Sequence, residues 1–84
     1  MADKLRKMKD RASRLYSEGK LEEALEMYRA VLELDPASLT HRIKTGDVLR
    51  KLGRRKEAIE AYEQVARRYA EDGLLLKAIA VCKV

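Results

Sequence analysis

Apolar residues recur along this chain at intervals of three and four positions, a spacing that places them on one face of an α-helix. The pattern predicts a first helix over 4–18, ended by Gly19, because glycine adopts the left-handed conformation of a helix C-terminus without steric cost. A second helix is predicted over 20–34, ended by Asp35 and Pro36. The predicted buried faces of these helices are Leu5, Met8, Ala12 and Leu15, and then Leu21, Ala24, Leu25, Tyr28, Val31 and Leu32.

The helical pattern continues in the second half of the chain. Pro36 suits the first turn of a third helix over 37–52, for which either Asp35 or Ser38 is a candidate N-terminal cap. A fourth helix is predicted over 54–72. Because the connections are only two or three residues long, consecutive helices should pack as antiparallel neighbours. The residues that the third helix is predicted to bury are Leu39, Ile43, Gly46 and Leu49.

Many of these residues recur at a fixed offset of 34 positions. A constant period of this size is typical of a repeat array, in which neighbouring units stack to bury apolar faces that no unit can bury alone. The identical pairs include Gly19 and Gly53, Ala24 and Ala58, Tyr28 and Tyr62, Leu15 and Leu49, and Val31 and Val65.

The period changes after Tyr62. Gly53, Ala58 and Ile59 recur as Gly73, Ala78 and Ile79, only 20 positions later, and Leu49 then maps onto Tyr69. The helix over 54–72 is therefore predicted to serve twice, as the second helix of one unit and the first helix of the next. The alternative is a degenerate connector after two repeats.

The segments EGKLEEALEMYRAVLELDP (18–36) and LGRRKEAIEAYEQV (52–65) resemble the tetratricopeptide repeat family. The resemblance covers residues 5–69 well and 70–84 in part. It implies an all-α helix–turn–helix solenoid of about five antiparallel helices in a single domain over 1–84. Repeat 1 would span about 5–38, repeat 2 about 39–72, and a partial or overlapping third unit about 59–84. The residues at the family's packing positions are Ala12, Gly19, Ala24, Tyr28, Pro36, Gly46, Gly53, Ala58, Tyr62, Tyr69, Gly73 and Ala78.

The resemblance also implies a function and a site. Family members bind other proteins as adaptors or scaffolds, and the first helix of each repeat lines a concave groove that receives an extended peptide or a helix. The groove residues implied here are Arg6, Lys9, Ser13, Tyr16 and Ser17 from the first helix, and Thr40, Ile43, Asp47, Arg50 and Lys51 from the third. Each set follows the spacing i, i+3, i+7, i+10 and i+11, so helical geometry places it on one face.

Charge refines this expectation. The net charge is +5, and the segment 4–18 carries six basic and two acidic residues, whereas 20–34 carries two and four. Segment 39–52 carries four basic residues and one acidic residue. Basic groove helices predict a site that attracts acidic segments in a salt-dependent way. The alternative is that these charges only solvate the surface and pair across neighbouring helices.

Other classes of function are disfavoured by the residue inventory. His41, predicted to be exposed, is the only histidine, and Cys82 is the only cysteine, so neither a metal set, a disulfide framework nor a catalytic arrangement is evident. No cofactor is predicted. No run reaches the roughly 20 apolar residues that span a bilayer, so the expected location is the cytoplasm. The chaperone-tail clamp of the family is also incomplete, because Ser13 and Lys44 stand where it has asparagines.

Two alternatives stay open. A fifth helix is predicted over 74–84, and it is apolar nearly all round. We expect either that the chain is a fragment of a longer array or that it self-associates through this segment. The second alternative is nucleic acid, since basic residues cluster around the turn at Gly53. It is disfavoured because the tyrosines provide no stacking platform. The cluster consists of Arg50, Lys51, Arg54, Arg55 and Lys56.

Overall fold

The structure, a computed structural model, describes residues 2–73 and residue 81. The described residues form α1 (Ala2–Ser17), α2 (Leu21–Leu34), α3 (Leu39–Lys51) and α4 (Arg55–Glu71), with no strand among them. The predicted all-α repeat fold is confirmed, and the four helices end within two residues of their predicted limits. The predicted fifth helix over 74–84 lies outside the described residues, except that Val81 is helical.

The same turn closes α1, α3 and α4. Gly19, Gly53 and Gly73 have φ of 78°, 79° and 79°, where a side chain would be strained. After α1, the amide of Gly19 donates to the carbonyl of Tyr16 and that of Lys20 donates to Leu15. The amides of Gly53 and Arg54 repeat this pattern after α3. These bonds satisfy carbonyls at the helix end that would otherwise have no partner.

The turn between α2 and α3 is of a different kind. Asp35 ends α2, and its amide donates to the carbonyl of Val31. Ser38 caps α3 in an extended conformation, and its hydroxyl oxygen accepts from the amide of His41. Pro36 therefore precedes the helix by three positions, and the expectation that it occupies the first turn of the third helix was wrong. The serine cap fixes the start of α3 instead.

Each helix packs chiefly against the next, α1 on α2, α2 on α3 and α3 on α4. Alanine at three positions in this core keeps the side-chain layer between helices thin, since Ala12, Ala24 and Ala58 are 3% exposed or less. The buried cluster consists of Ala12, Leu15, Ala24, Leu25, Tyr28, Val48, Leu49, Ala58 and Tyr62.

Not every predicted apolar residue is fully buried. Leu5, Leu21, Leu32 and Leu39 are half-buried because each lies close to a helix terminus. Of the residues at the family's packing positions, Tyr69 is half-buried, Pro36 is exposed, and Ala78 lies outside the described residues.

Tyr62 leaves no room for a side chain at Gly46. A β-carbon built on it would lie 2.8 Å from Cε1 and 3.0 Å from Cζ of Tyr62. The phenol of Tyr62 also donates a hydrogen bond to Asp47 Oδ1. The tyrosine ring thus lies against α3 at Gly46, and Asp47, the next residue of α3, holds its hydroxyl.

Candidate ligand groove

A small cavity lies between α1, α2 and α3, where the sequence predicts the ligand groove. Tyr16 of α1, Tyr28 of α2, and Lys44 and Asp47 of α3 line it, and its volume is about 40 Å³. The structure therefore brings together Tyr16 and Asp47, two predicted groove residues that are 31 positions apart in the sequence. The other eight predicted groove residues do not line this cavity.

Asp47 is engaged within the protein. Its Oδ1 accepts a hydrogen bond from the hydroxyl of Tyr62 at 2.5 Å, and Arg50 Nη2 lies 4.0 Å from the same oxygen. Burial of the phenol, together with this bond to a carboxylate, raises the pKa of Tyr62 well above its usual value. The one acidic residue predicted in the groove thus serves to hold a core tyrosine, and part of its negative charge is offset.

Two of the predicted cations contact groups of the protein itself. Lys51 Nζ lies 4.6 Å from the centre of the Tyr16 ring, within the range of a cation–π interaction. Lys9 Nζ lies 3.3 Å from Asp35 Oδ2, and both side chains are about one third exposed. The contact of Lys51 with Tyr16 connects the predicted second repeat to the first, whereas the contact of Lys9 with Asp35 lies within the first repeat and connects α1 to the end of α2.

The other predicted groove residues are not brought to the cavity. Ser13, Ser17 and Thr40 are exposed. Arg6 lies 3.7 Å from Asp3, one turn earlier on α1. Ile43 is half-buried and packs against the core cluster, so it has a structural role as well as its position beside the groove.

Lys44 and Tyr28 line the cavity although neither is among the ten predicted groove residues; the sequence placed Lys44 only at an asparagine position of the chaperone-tail clamp. Lys44 is exposed and forms no ion pair with any of the described residues. It lies four positions after Thr40 and three before Asp47, so helical spacing alone places it on the groove face. Tyr28 is 1% exposed, and burial raises the pKa of its phenol. Tyr28 occupies a packing position of the repeat, and from the sequence alone this position does not indicate that the residue also lines the cavity.

His41 differs from its predicted exposed position. Its ring lies 6.1 Å from the ring of Tyr28 between centroids, and its Nδ1 is 2.7 Å from Ser38 Oγ. Burial, with smaller contributions from Lys9 and Lys44, lowers the pKa of His41. His41 is half-buried because α2 packs on this face of α3, which the helix pattern of α3 alone does not reveal.

The basic cluster around the turn at Gly53 is partly neutralised. Arg54 donates two hydrogen bonds of 3.0 Å to Glu57, and Arg29 of α2 donates one of 2.9 Å to the same carboxylate. These bonds hold the pKa of Glu57 below its usual value. Arg55 and Lys56 form no ion pair with other described residues. The cluster therefore presents fewer unpaired charges than its sequence indicates.

A larger and more apolar pocket of about 440 Å³ lies on α4. Its lining includes Ile59, which is 52% exposed, whereas Leu25 at the same position of the first repeat is 3% exposed. The difference arises because α3 covers the face of α2 that carries Leu25. The residues that line this pocket are Arg50, Arg55, Ala58, Ile59, Tyr62, Glu63 and Val81.

Comparison with known families supplies the identity of these repeats. A family model described as tetratricopeptide repeat matches residues 9–73 and, in a second window, residues 43–82. The chain belongs to the tetratricopeptide repeat family. No curated protein matches the chain. Within residues 2–73 and 81, no cluster of three or more potential metal ligands occurs, and no helix is long and apolar enough to cross a membrane.

Tetratricopeptide repeats generally mediate protein–protein interaction, and members of the family are typically non-enzymatic scaffolds. The role of the segment 74–84 in self-association lies outside the described residues and stays a prediction.

Proposed function

We propose that this chain binds an acidic segment of a partner protein in the groove between α1 and α3. The observation that carries the proposal is Lys44, an exposed cation at the edge of the cavity with no ion pair to any described residue. An incoming carboxylate gains this contact without displacing an existing partner of the lysine, so its desolvation is offset by a new charge pair.

A second cation is held nearby. Lys51 is positioned over the ring of Tyr16, and Tyr16 lines the same cavity as Lys44. The cation–π contact restricts the lysine side chain before any ligand arrives, which reduces the entropy lost on binding. One lysine over the Tyr16 ring and a second lining the same cavity as that ring suit a segment with carboxylates a few residues apart.

The negative charge of Asp47 opposes an acidic ligand. Its hydrogen bond to Tyr62 and the proximity of Arg50 offset part of that charge. The groove therefore keeps a net positive charge around the cavity, in keeping with the excess of basic residues on α1 and α3.

Affinity capture from host lysate tests this proposal, with and without nuclease and over a series of salt concentrations. The groove variant is Lys44→Glu/Lys51→Glu, and the matched control is Lys56→Glu/Arg67→Glu, which reverses two exposed cations of α4. We expect a nuclease-resistant protein partner that the control retains, that the groove variant loses, and that salt releases. The proposal is refuted if the groove variant retains the partner or if nuclease abolishes capture.

A further inference from the structure

A second row of cations runs along α1 on the side turned away from the groove. Lys4, Lys7, Arg11 and Arg14 follow the spacing i, i+3, i+7 and i+10, and all four are exposed. None of them forms an ion pair with another described residue. These four residues are referred to as the basic stripe. Measured between the centres of the two sets, helical geometry separates the basic stripe from the groove residues of the same helix by more than a third of a turn.

The basic stripe borders an apolar pocket. Lys4, Lys7 and Arg11 line it together with Met8 and Met27, and its volume is about 360 Å³. Both methionines are half-buried. Methionine side chains adapt to the shape of whatever packs on them, so Met8 and Met27 suit an apolar contact with another molecule.

The internal repeat shows what kind of element such a face receives. At the offset of 34, Lys7, Arg11 and Arg14 correspond to His41, Thr45 and Val48 of α3. The ring of His41 packs on Tyr28 of α2. Thr45 and Val48 are 6% and 0% exposed. The equivalent face of α3 is therefore a docking surface for a helix.

The residue types on α1 determine the chemistry of the occupant. The residues on α3 are neutral or weakly basic, and an apolar helix face carrying Leu25 and Tyr28 covers them. An apolar face laid over the basic stripe would instead remove four cations from water without compensation, which is unfavourable. Carboxylates on the docked helix would supply the missing partners.

We propose that the basic stripe docks an acidic amphipathic helix of a partner protein, placed on α1 as α2 is placed on α3. Glutamate or aspartate residues of the docked helix pair with the stripe, and its apolar residues contact Met8 and Met27. This surface is separate from the groove, so the proposal does not depend on the function proposed above.

A synthetic helix tests the proposal on the full 84-residue chain. The probe is a fluorescent alanine-based peptide of roughly 18 residues, long enough to span the stripe. It carries glutamate at i, i+3, i+7 and i+10 with leucine beside them, and the control peptide carries glutamine at those positions. Fluorescence anisotropy gives the affinity, and nuclear magnetic resonance shifts of backbone amides and methionine methyls locate the site.

We expect the glutamate probe to bind more tightly than the glutamine peptide and to shift Met8 and Met27. The variant Lys7→Glu/Arg11→Glu should weaken binding on the order of tenfold or more. Lys56→Glu/Arg67→Glu should bind within about twofold of the unaltered chain, since exposed charges away from a site contribute little. The groove variant Lys44→Glu/Lys51→Glu should behave like this control, which separates the two surfaces. Circular dichroism checks that every variant is folded.

Four results would overturn the proposal. Equal affinity for the two peptides would show that charge does not select the ligand, and unchanged affinity of Lys7→Glu/Arg11→Glu would show that the stripe is not the site. A short RNA that binds the stripe more tightly than the peptide would make nucleic acid the ligand. Self-association of the chain that this double variant abolishes would make the occupant a second copy.

Discussion

The seat of Tyr62 on Gly46 leads to a prediction whose sign depends on packing. In the middle of a helix, replacing glycine by alanine stabilises by about 1 kcal/mol through propensity alone. A β-carbon at position 46 would lie 2.8 Å from the tyrosine ring, whereas carbon atoms pack at about 3.5–4.0 Å. The ring would have to move by roughly 1 Å to relieve this overlap. Its hydroxyl is bonded to Asp47, so the same movement strains or breaks that bond.

These opposing effects give a net magnitude. Overpacking a core costs about 1–3 kcal/mol, and loss of a hydrogen bond to a charged group costs about 1.5–3 kcal/mol. The Asp47 side chain is 30% exposed, so water replaces part of that bond and the lower end applies. After subtracting the gain in propensity, Gly46→Ala should lower the free energy of unfolding by about 2 kcal/mol. The expected fall in Tm is on the order of 10 °C for a chain of this size.

Thermal and urea unfolding, followed by circular dichroism, measure the effect. Ala12→Gly at the equivalent position of α1 is the matched control, because propensity alone predicts opposite signs for the two changes, whereas packing predicts that both destabilise. In a Tyr62→Phe background the ring is no longer tethered, and Gly46→Ala should cost on the order of 1 kcal/mol less. An increase in stability on Gly46→Ala would refute the reasoning, since it would mean that the ring moves freely.

Three further predictions follow from local contacts. Ser38→Ala should lower the free energy of unfolding by about 1 kcal/mol, measured by urea unfolding, because the cap of α3 is lost; an unchanged value would mean that the cap is not used. Burial and Lys9 lower the pKa of His41 in the folded protein below its value of near 6.5 in the unfolded chain. The unfolded chain therefore binds a proton more readily, and the free energy of unfolding should decrease as the pH falls below about 6.5. Urea unfolding between pH 7 and about 5 should show this loss, and His41→Gln should reduce it. Burial and Asp47 raise the pKa of Tyr62, so stability should fall as the pH rises above about 10. Tyr62→Phe should lessen this slope by at most about 1.4 kcal/mol per pH unit, and an identical slope would contradict the assignment.

Local signals and the period of the repeat could both be predicted from the sequence. Gly19 and Gly53 end their helices because no other residue adopts that turn as easily, and the 34-residue offset aligns the two repeats. The position of Pro36 was wrong by a few residues because Ser38, its neighbour, offers a stronger start for the helix.

Features that depend on two helices were not readable. Leu25 and Ile59 are equivalent in the repeat, yet one is 3% and the other 52% exposed, because only the first has a following helix of the described residues laid over it. In the candidate groove, spacing predicts Asp47 as a groove residue, but its partner Tyr62 is 15 positions away on another helix and could not be predicted in this way. Spacing could not predict that Lys44 lines the same cavity as Tyr16 and Tyr28, because these three residues lie on three different helices.

The order in which the helices pack also determines how the chain should fold and open. Because α1 contacts chiefly α2, and α4 chiefly α3, most contacts join segments that are close in sequence. Local contacts of this kind are associated with rapid folding, and a linear stack frays from its ends rather than opening at once. Among the described helices, α2 and α3 each pack on two others, so their amides should be the last to exchange with solvent, whereas α1 can detach and return without disturbing α3 and α4. A helix that binds α1 would suppress this fraying. Binding would therefore be measurable as slower hydrogen exchange of the α1 amides.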